Sequence, residues 1–431
     1  MVFQENFLHL VWKYQYFDKT GLATTEGNPI EIKKIGYHNF HEGPDFLESH
    51  IQLGDMAYYG NVEIHLRSSD WNNHNHQHDD RYESVILHVV FEHDENILHP
   101  DGSSIPTLEL KGKIYLDVLR NYDRLLNGPH QILCAESLGE ISDILRFSML
   151  EKALVERFGQ KSLLINRLLE ENKGDWEETT YQWLFYSFGF KTNSEAMLNL
   201  AKSTPYRILK KHAPHKGIIE AILLGQANLL ESDSPDDYTG FLQKEYQFYA
   251  TKYSFAHILY PASWKFMGVR PGNFPTVRIA QLAAILSGTP NLFSSIIHPQ
   301  NDISAIKKIF NYSVSSYWEH HYRPGKEAKK SLGKTLSSQS VYLLAINFVV
   351  PLWYAYGQYM DDSSWQDKCF DLLQEVKAEQ NFIIKRFQQI NWNPENAYDT
   401  QGMIGLHNNY CLQKKCLECK IGQNLLRPAK K

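Results

Sequence analysis

The chain has 431 residues, 43% of them hydrophobic and 22% charged, the balance of an ordinary globular protein with room for two or three domains. Lys and Arg number 44 against 49 Asp and Glu, a formal net charge of −5, so a nucleic-acid partner needs a local basic patch rather than a basic surface. Five cysteines are too few for a disulfide scaffold, and the opening MVFQENFLHLVWKYQYF lacks the pattern of a secretory leader, so a cytoplasmic chain is expected.

The elements follow in chain order. Phe7, Leu8, Leu10, Val11 and Trp12 at helical spacing predict a helix from Glu5 to Tyr16. Alternation predicts strands over Ile30 to Ile35, Phe46 to Leu53 and Ala57 to Leu66, with a turn at Gly54-Asp55. Val62, Ile64 and Leu66 share one face of the third strand, which leaves Glu63 and His65 together on the other. Ser68-Ser69-Asp70 starts a short helix, and a polar segment runs on to Tyr82. VILHVVFE, Val85 to Glu92, is apolar enough for the middle of a covered sheet, and Ile105 to Leu110 is one more strand. Beyond about Ile141 helical periodicity dominates. VYLLAINFVVPLWYAYG, Val341 to Gly357, is shorter than a membrane span and reads as a buried helix kinked near Pro351, so no membrane partner is expected. The expected division is residues 1–125, residues 140–390, and a loop-rich, cysteine-bearing tail, 391–431.

HEGPDF places Asp45 just after Gly43 and Pro44, and GNVEIHLRSSDW carries Glu63 and His65. One reading is a turn and a solvated sheet face. The other is a pair of carboxylates on adjacent strands sharing a divalent ion, with a basic group beside them. The order helix, strand, strand opening at Asp45, strand carrying Glu63-Ile64-His65, helix, strand resembles the core of the PD-(D/E)XK, restriction-endonuclease-like nucleases. That resemblance covers about the first quarter of the chain. It implies an α+β or α/β mixed sheet with helices, followed here by a large all-α domain. It also implies Asp45 and Glu63 as ligands of Mg²⁺ or Mn²⁺, with His65 where the family has lysine, Glu5 as a further acid, and hydrolysis of DNA or RNA. A non-catalytic binding module on the same fold, or a histidine-based hydrolase of another substrate, are the alternatives.

WNNHNHQHDDRY supplies His74, His76 and His78, then Asp79 and Asp80. The three histidines share a face if extended; His74 and His78 do if helical. Such residues suit Zn²⁺ or Mn²⁺, and they equally suit a solvated loop. His88, within an apolar strand, reads as a buried, hydrogen-bonded imidazole. LHNNYCLQKKCLECKIG holds Cys411, Cys416 and Cys419 behind His407. That spacing suits a structural zinc, with His407, Cys134 or Cys369 as the fourth ligand, or an iron–sulfur cluster. Local positive charge comes from Arg270 and Arg278 in VRPGNFPTVR, and from Arg323, Lys326, Lys329 and Lys330 in RPGKEAKKSLGK. GPDF, GNVEIHLRSSDW, VILHVV, NFPTVRIAQLA, RPGKEAKKSLGK and YC….C..C.IG together resemble an uncharacterised bacterial family, DUF2851-like, from end to end.

Overall fold

The structure is a computed structural model that describes residues 4–99, 101–128, 130–232, 236–255, 259–298 and 302–429. The chain forms two compact units, Met1–Leu150 with Leu406–Lys431, and Glu151–Gly405. The expected separate tail is not what forms. Residues 397–405 complete the second unit, and 406–431 fold with the first. Nor is the segment loop-rich. Helix Ala397–Leu406 runs into a π-turn at His407–Cys411, and Lys420–Leu425 is helical.

The first unit is a mixed sheet with helices. Its elements are α1 (Glu5–Tyr14), β1 (Ile30–Lys34), β2 (Tyr37–His38), β3 (Phe46–Leu53), β4 (Met56–Arg67), α2 (Asp70–Asn73), β5 (Val85–Glu92), β6 (Thr107–Glu109) and α3 (Leu116–Leu126). The sheet order is β1-β3-β4-β5-β6, with β2 beside β3. β3 runs antiparallel to β1 and β4, whereas β4, β5 and β6 are mutually parallel. A parallel pair needs a crossover connection, and residues 68–84 supply it between β4 and β5. The register sets Phe46 opposite Val62 and Glu63 opposite His88.

Val62, Glu63, Ile64 and His65 are all buried, so β4 is covered on both faces at this point. The solvated face that alternation allowed for Glu63 and His65 is absent. The crossover segment closes over it, with Trp71 and Tyr82 packed beside Val85, Ile97 and Ile105.

The second unit is largely helical: α4 (Asp143–Glu171, its early residues in the first unit), α5 (Trp176–Phe188), α6 (Ser194–Ser203), α7 (Tyr206–Lys210), α8 (Lys216–Gln226), α9 (Asp237–Tyr253), α10 (Pro275–Gly288) and further helices to Leu406. α8 and α10 are buried nearly all round, which is why their sequences are apolar on every face. The segment around Pro351 does not break. A helix runs from Ser338 to Met360, long and apolar enough to cross a membrane, with 67% of its most apolar window buried within the protein. It accommodates Pro351 with a π-turn at Ala345–Val349, where the Val350 amide reaches back to the Ala345 carbonyl.

Candidate metal centre

Three elements bring the chemistry together on one side of β4. β4 itself contributes Glu63 and His65. The crossover contributes His74, which ends α2, and His76, which opens a 3-10 turn. Between them Asn75 takes a left-handed conformation with φ of 60°, which asparagine tolerates better than most residues. The chain is therefore neither extended nor helical there, and His74 and His76 meet while His78 stays exposed outside the group.

The ligand atoms lie close. His65 Nε2 is 3.1 Å from His74 Nδ1 and 3.5 Å from Glu63 Oε1, and His76 Nε2 is 3.3 Å from the same Glu63 oxygen. His65, His74 and His76 are the one group among the described residues whose ligand atoms all lie within 4.8 Å of one another. Bonds of about 2.1 Å to a tetrahedral ion would set ligand atoms about 3.4 Å apart. The three measured edges bracket that value. His76 Nε2 is buried and has no other hydrogen-bonding partner, so it faces Glu63 alone.

The surroundings favour neutral imidazoles. Burial, then the neighbouring histidines, pushes His65 down to about 2; burial and His74 push His76 down to about 4. His65 Nδ1 meets His88 Nε2 at 2.8 Å in the fully buried layer behind, as expected for His88. A proton on His65 Nδ1 donated to His88 leaves His65 Nε2 as a lone pair facing the group. Glu63 moves the opposite way. Burial, then the Asp45 carboxylate, raises it to about 9. His74 is exposed, so the group opens to solvent on that side.

Asp45, just before β3, lies next to Glu63. Its amide donates to Glu63 Oε2 at 3.1 Å, and its own Oδ2 accepts from the Ile64 amide at 2.9 Å. That same oxygen is 3.3 Å from His9 Nε2, a buried nitrogen that makes no hydrogen bond. His9 is also 4.0 Å from Glu5. Sequence reasoning missed His9. The available signal was Glu5 and His9 four residues apart, hence on one face of α1. Asp79 is engaged with Arg81, which also holds Glu42, so it braces the crossover rather than joining the group.

Residues 5–382 match the family described as a protein of unknown function, DUF2851. The chain belongs to this family. No curated protein and no solved structure matches. The DUF2851 stretch contains every residue of the histidine–carboxylate group and stops short of Cys411, Cys416 and Cys419.

Those three cysteines and Cys134 lie in the first unit, none of them in a disulfide, and near enough to act on one another's thiols. Burial, then Cys419 and Cys416, raises Cys134 to about 12; Cys411 is raised by burial and then by the other three. Cys369 belongs to the helical unit, where its thiol donates to the Val350 carbonyl. His407 is buried and meets Asn408.

The basic residues do not form one patch. Arg278 is buried, 5% exposed, within α10. Arg270 is exposed at a cavity mouth. Arg323 lies over the rings of Phe266 and Phe274. Lys326 lines a separate cleft with Arg323, and Lys329 and Lys330 are exposed.

Proposed function

We propose that this chain is a metal-dependent hydrolase acting on phosphodiester bonds of DNA or RNA. Its centre is Glu63, His65, His74 and His76, with Asp45 and His9 alongside. The observation that carries the reading is the grouping of His65, His74 and His76, whose ligand atoms lie within 4.8 Å of one another, with Glu63 Oε1 3.5 Å from His65 and 3.3 Å from His76. A divalent ion bound there would lower the pKa of nearby water and offset charge on a phosphoryl oxygen. The donor set, one carboxylate and three imidazoles, suits Mn²⁺ or Zn²⁺ better than Mg²⁺, which prefers oxygen.

The protein's own residues take defined parts. His65, His74 and His76 supply lone pairs. His88 fixes the His65 tautomer. Glu63 is either a ligand or a proton acceptor, and the Asp45 amide orients it. The nuclease reading draws support from Asp45 and Glu63 meeting at the start of β3 and on β4, the order that the PD-(D/E)XK resemblance requires. Three of the four donors are imidazoles, which favours a hydrolase of another substrate class as the second reading. A structural zinc or iron–sulfur cluster on Cys134, Cys411, Cys416 and Cys419, none of which is in a disulfide, would have to draw their sulfurs closer than they stand here.

Metal analysis of the full chain, with cleavage of single- and double-stranded DNA and RNA in Mn²⁺, tests the proposal. Bound ion and cleavage that both fall on the order of 100-fold in His74→Ala and in Glu63→Gln are expected. An ion lost in these variants with no cleavage by the parent protein supports the second reading. A purified protein that binds no ion at this group overturns both.

A further inference from the structure

The helical unit holds a cavity of about 770 Å³, a volume suited to a small organic ligand. Arg278 lines it, from the first turn of α10. Its Nη1 donates to Gln281 Oε1 at 2.9 Å and its Nη2 to Asn273 Oδ1 at 2.7 Å, both neutral amides. Its Nε is buried and donates to nothing. Among the described residues no carboxylate pairs with it. A buried charge left without a counter-charge is expensive, and proteins generally avoid one. Burial alone lowers this guanidinium to about 10, with no acid opposing the shift.

The walls repeat the same sign. Arg270 lies at the rim. α6 and α10 begin at the cavity, through Asn193 and Pro275, and the long helix Ser338–Met360 begins there with Ser340. Helix starts carry partial positive charge and point amides outward. Phe190 supports the arginine from below, its ring centroid 4.3 Å from the guanidinium carbon. It does so at a φ of 44°, a left-handed conformation that a bulky side chain rarely adopts. Such strain tends to be kept where geometry serves a ligand. Leu332 and Leu343 give the wall an apolar part, beside the hydroxyls and amide of Thr192, Ser331, Ser337 and Gln339.

We propose that this cavity binds a small organic phosphate, its phosphoryl oxygens on Arg278 and Arg270 and its apolar portion against Leu332 and Leu343. A phosphate monoester has more oxygens than a carboxylate to meet two guanidiniums and the helix starts, and it carries nearly two charges at neutral pH. This site is separate from the metal group and does not depend on it.

The test is titration of the full chain with phenyl phosphate, inorganic phosphate and benzoate, followed by calorimetry and thermal shift. Phenyl phosphate is expected to bind tightest, and benzoate at least about tenfold more weakly. Arg278→Gln is expected to weaken phenyl phosphate about tenfold or more while leaving the melting temperature in phosphate-free buffer unchanged or raised. Arg270→Gln, an exposed change that leaves the packing alone, is expected to weaken it several-fold. No binding of phenyl phosphate at millimolar concentration overturns the proposal. So does binding that neither substitution alters, or an Arg278→Gln protein whose only defect is a lowered melting temperature.

Discussion

The sheet unit and the helical unit each bury ionisable groups, and they do so in opposite senses. In the first, six groups crowd together: Glu63, Asp45 and four imidazoles, at separations that leave lone pairs facing one another. Burial holds His65 and His76 neutral and leaves Glu63 with its proton, so none of these three carries a charge. In the second, the Arg278 guanidinium is held among amides and a phenyl ring, with no carboxylate paired to it among the described residues. Burial alone does not say what a site wants. The sign of the uncompensated charge does, and on the two readings proposed above it asks for a cation in one unit and an anion in the other.

Hydrogen exchange would break this contrast most directly. At a hundredfold excess over Kd, a ligand that binds only the folded form adds about 2.7 kcal/mol, or about 100-fold slower exchange of amides that open globally. Mn²⁺ is expected to protect β4 and β5 by about that factor and to leave α10 unchanged. Phenyl phosphate is expected to protect α10 and leave β4 unchanged. Protection of the same amides by both ligands would mean that the two sites are not independent.

His88 offers a finer cut. It touches His65 and none of the other donors at bonding distance, so its effect runs through the orientation and tautomer of one ligand. Removing such a support typically costs 10- to 100-fold in metal affinity. His88→Gln, which keeps a polar atom in the buried layer, is expected to weaken Mn²⁺ about tenfold with the ion still bound. A loss as complete as that of His74→Ala would make His88 a ligand rather than a support.

The pH dependence sharpens the same point. Glu63 is raised to about 9 in the folded chain from about 4.5 when unfolded, with Asp45 and Glu5 as the like charges facing it. Folding therefore favours its protonated form, and the ion-free unit loses that stability as pH rises toward 9. His65, His76 and His88 are lowered to about 2, 4 and 3, so the unit loses their contribution as pH falls below about 6.5. An ion binding at pH 7 must displace the Glu63 proton and none from His65 or His76. Calorimetry in two buffers of different ionisation enthalpy is expected to report release of about one proton at pH 7. Glu63→Gln should abolish that release, and uptake or release of several protons would contradict the assignment.

Much of this was legible in the sequence, and the rest was hidden for identifiable reasons. The strands came through because period-two alternation and apolar runs mark them, and α1 because Phe7 to Trp12 repeat at helical spacing. Glu63 and His65 could be placed on one face, but not inside the protein. What covers them is the crossover, and its path depends on one left-handed residue, Asn75, between His74 and His76. Cys134 stands with His407 and Cys369 as a candidate fourth ligand for the tail cysteines; only folding separates the two distant cysteines, because gaps of tens to hundreds of residues carry no spacing information. Arg278 was read with the basic residues. Its neighbours in PTVRIAQLAAILSG were the missed signal, since an arginine in a helix apolar on every side is held inside.

The smallest expected effect concerns the basic stretch after Arg323. In sequence it looked like one phosphate-binding run. In the folded chain its members are divided, with Arg323 committed to two aromatic rings, Lys326 at the cleft beside it, and Lys329 and Lys330 exposed. A lysine that contacts a nucleic-acid phosphate releases a counterion, and losing it lowers the slope of log K against log salt by about 0.9 on duplex DNA. The double substitution Lys329→Ala, Lys330→Ala should leave the melting temperature within about a degree, because exposed lysines contribute little to folding. If these residues hold the backbone of a substrate, the salt slope for DNA binding drops by nearly two. If the slope is unchanged, the segment is a solvated loop, and any nucleic acid reaching the Glu63 group is held by the sheet unit's own surface.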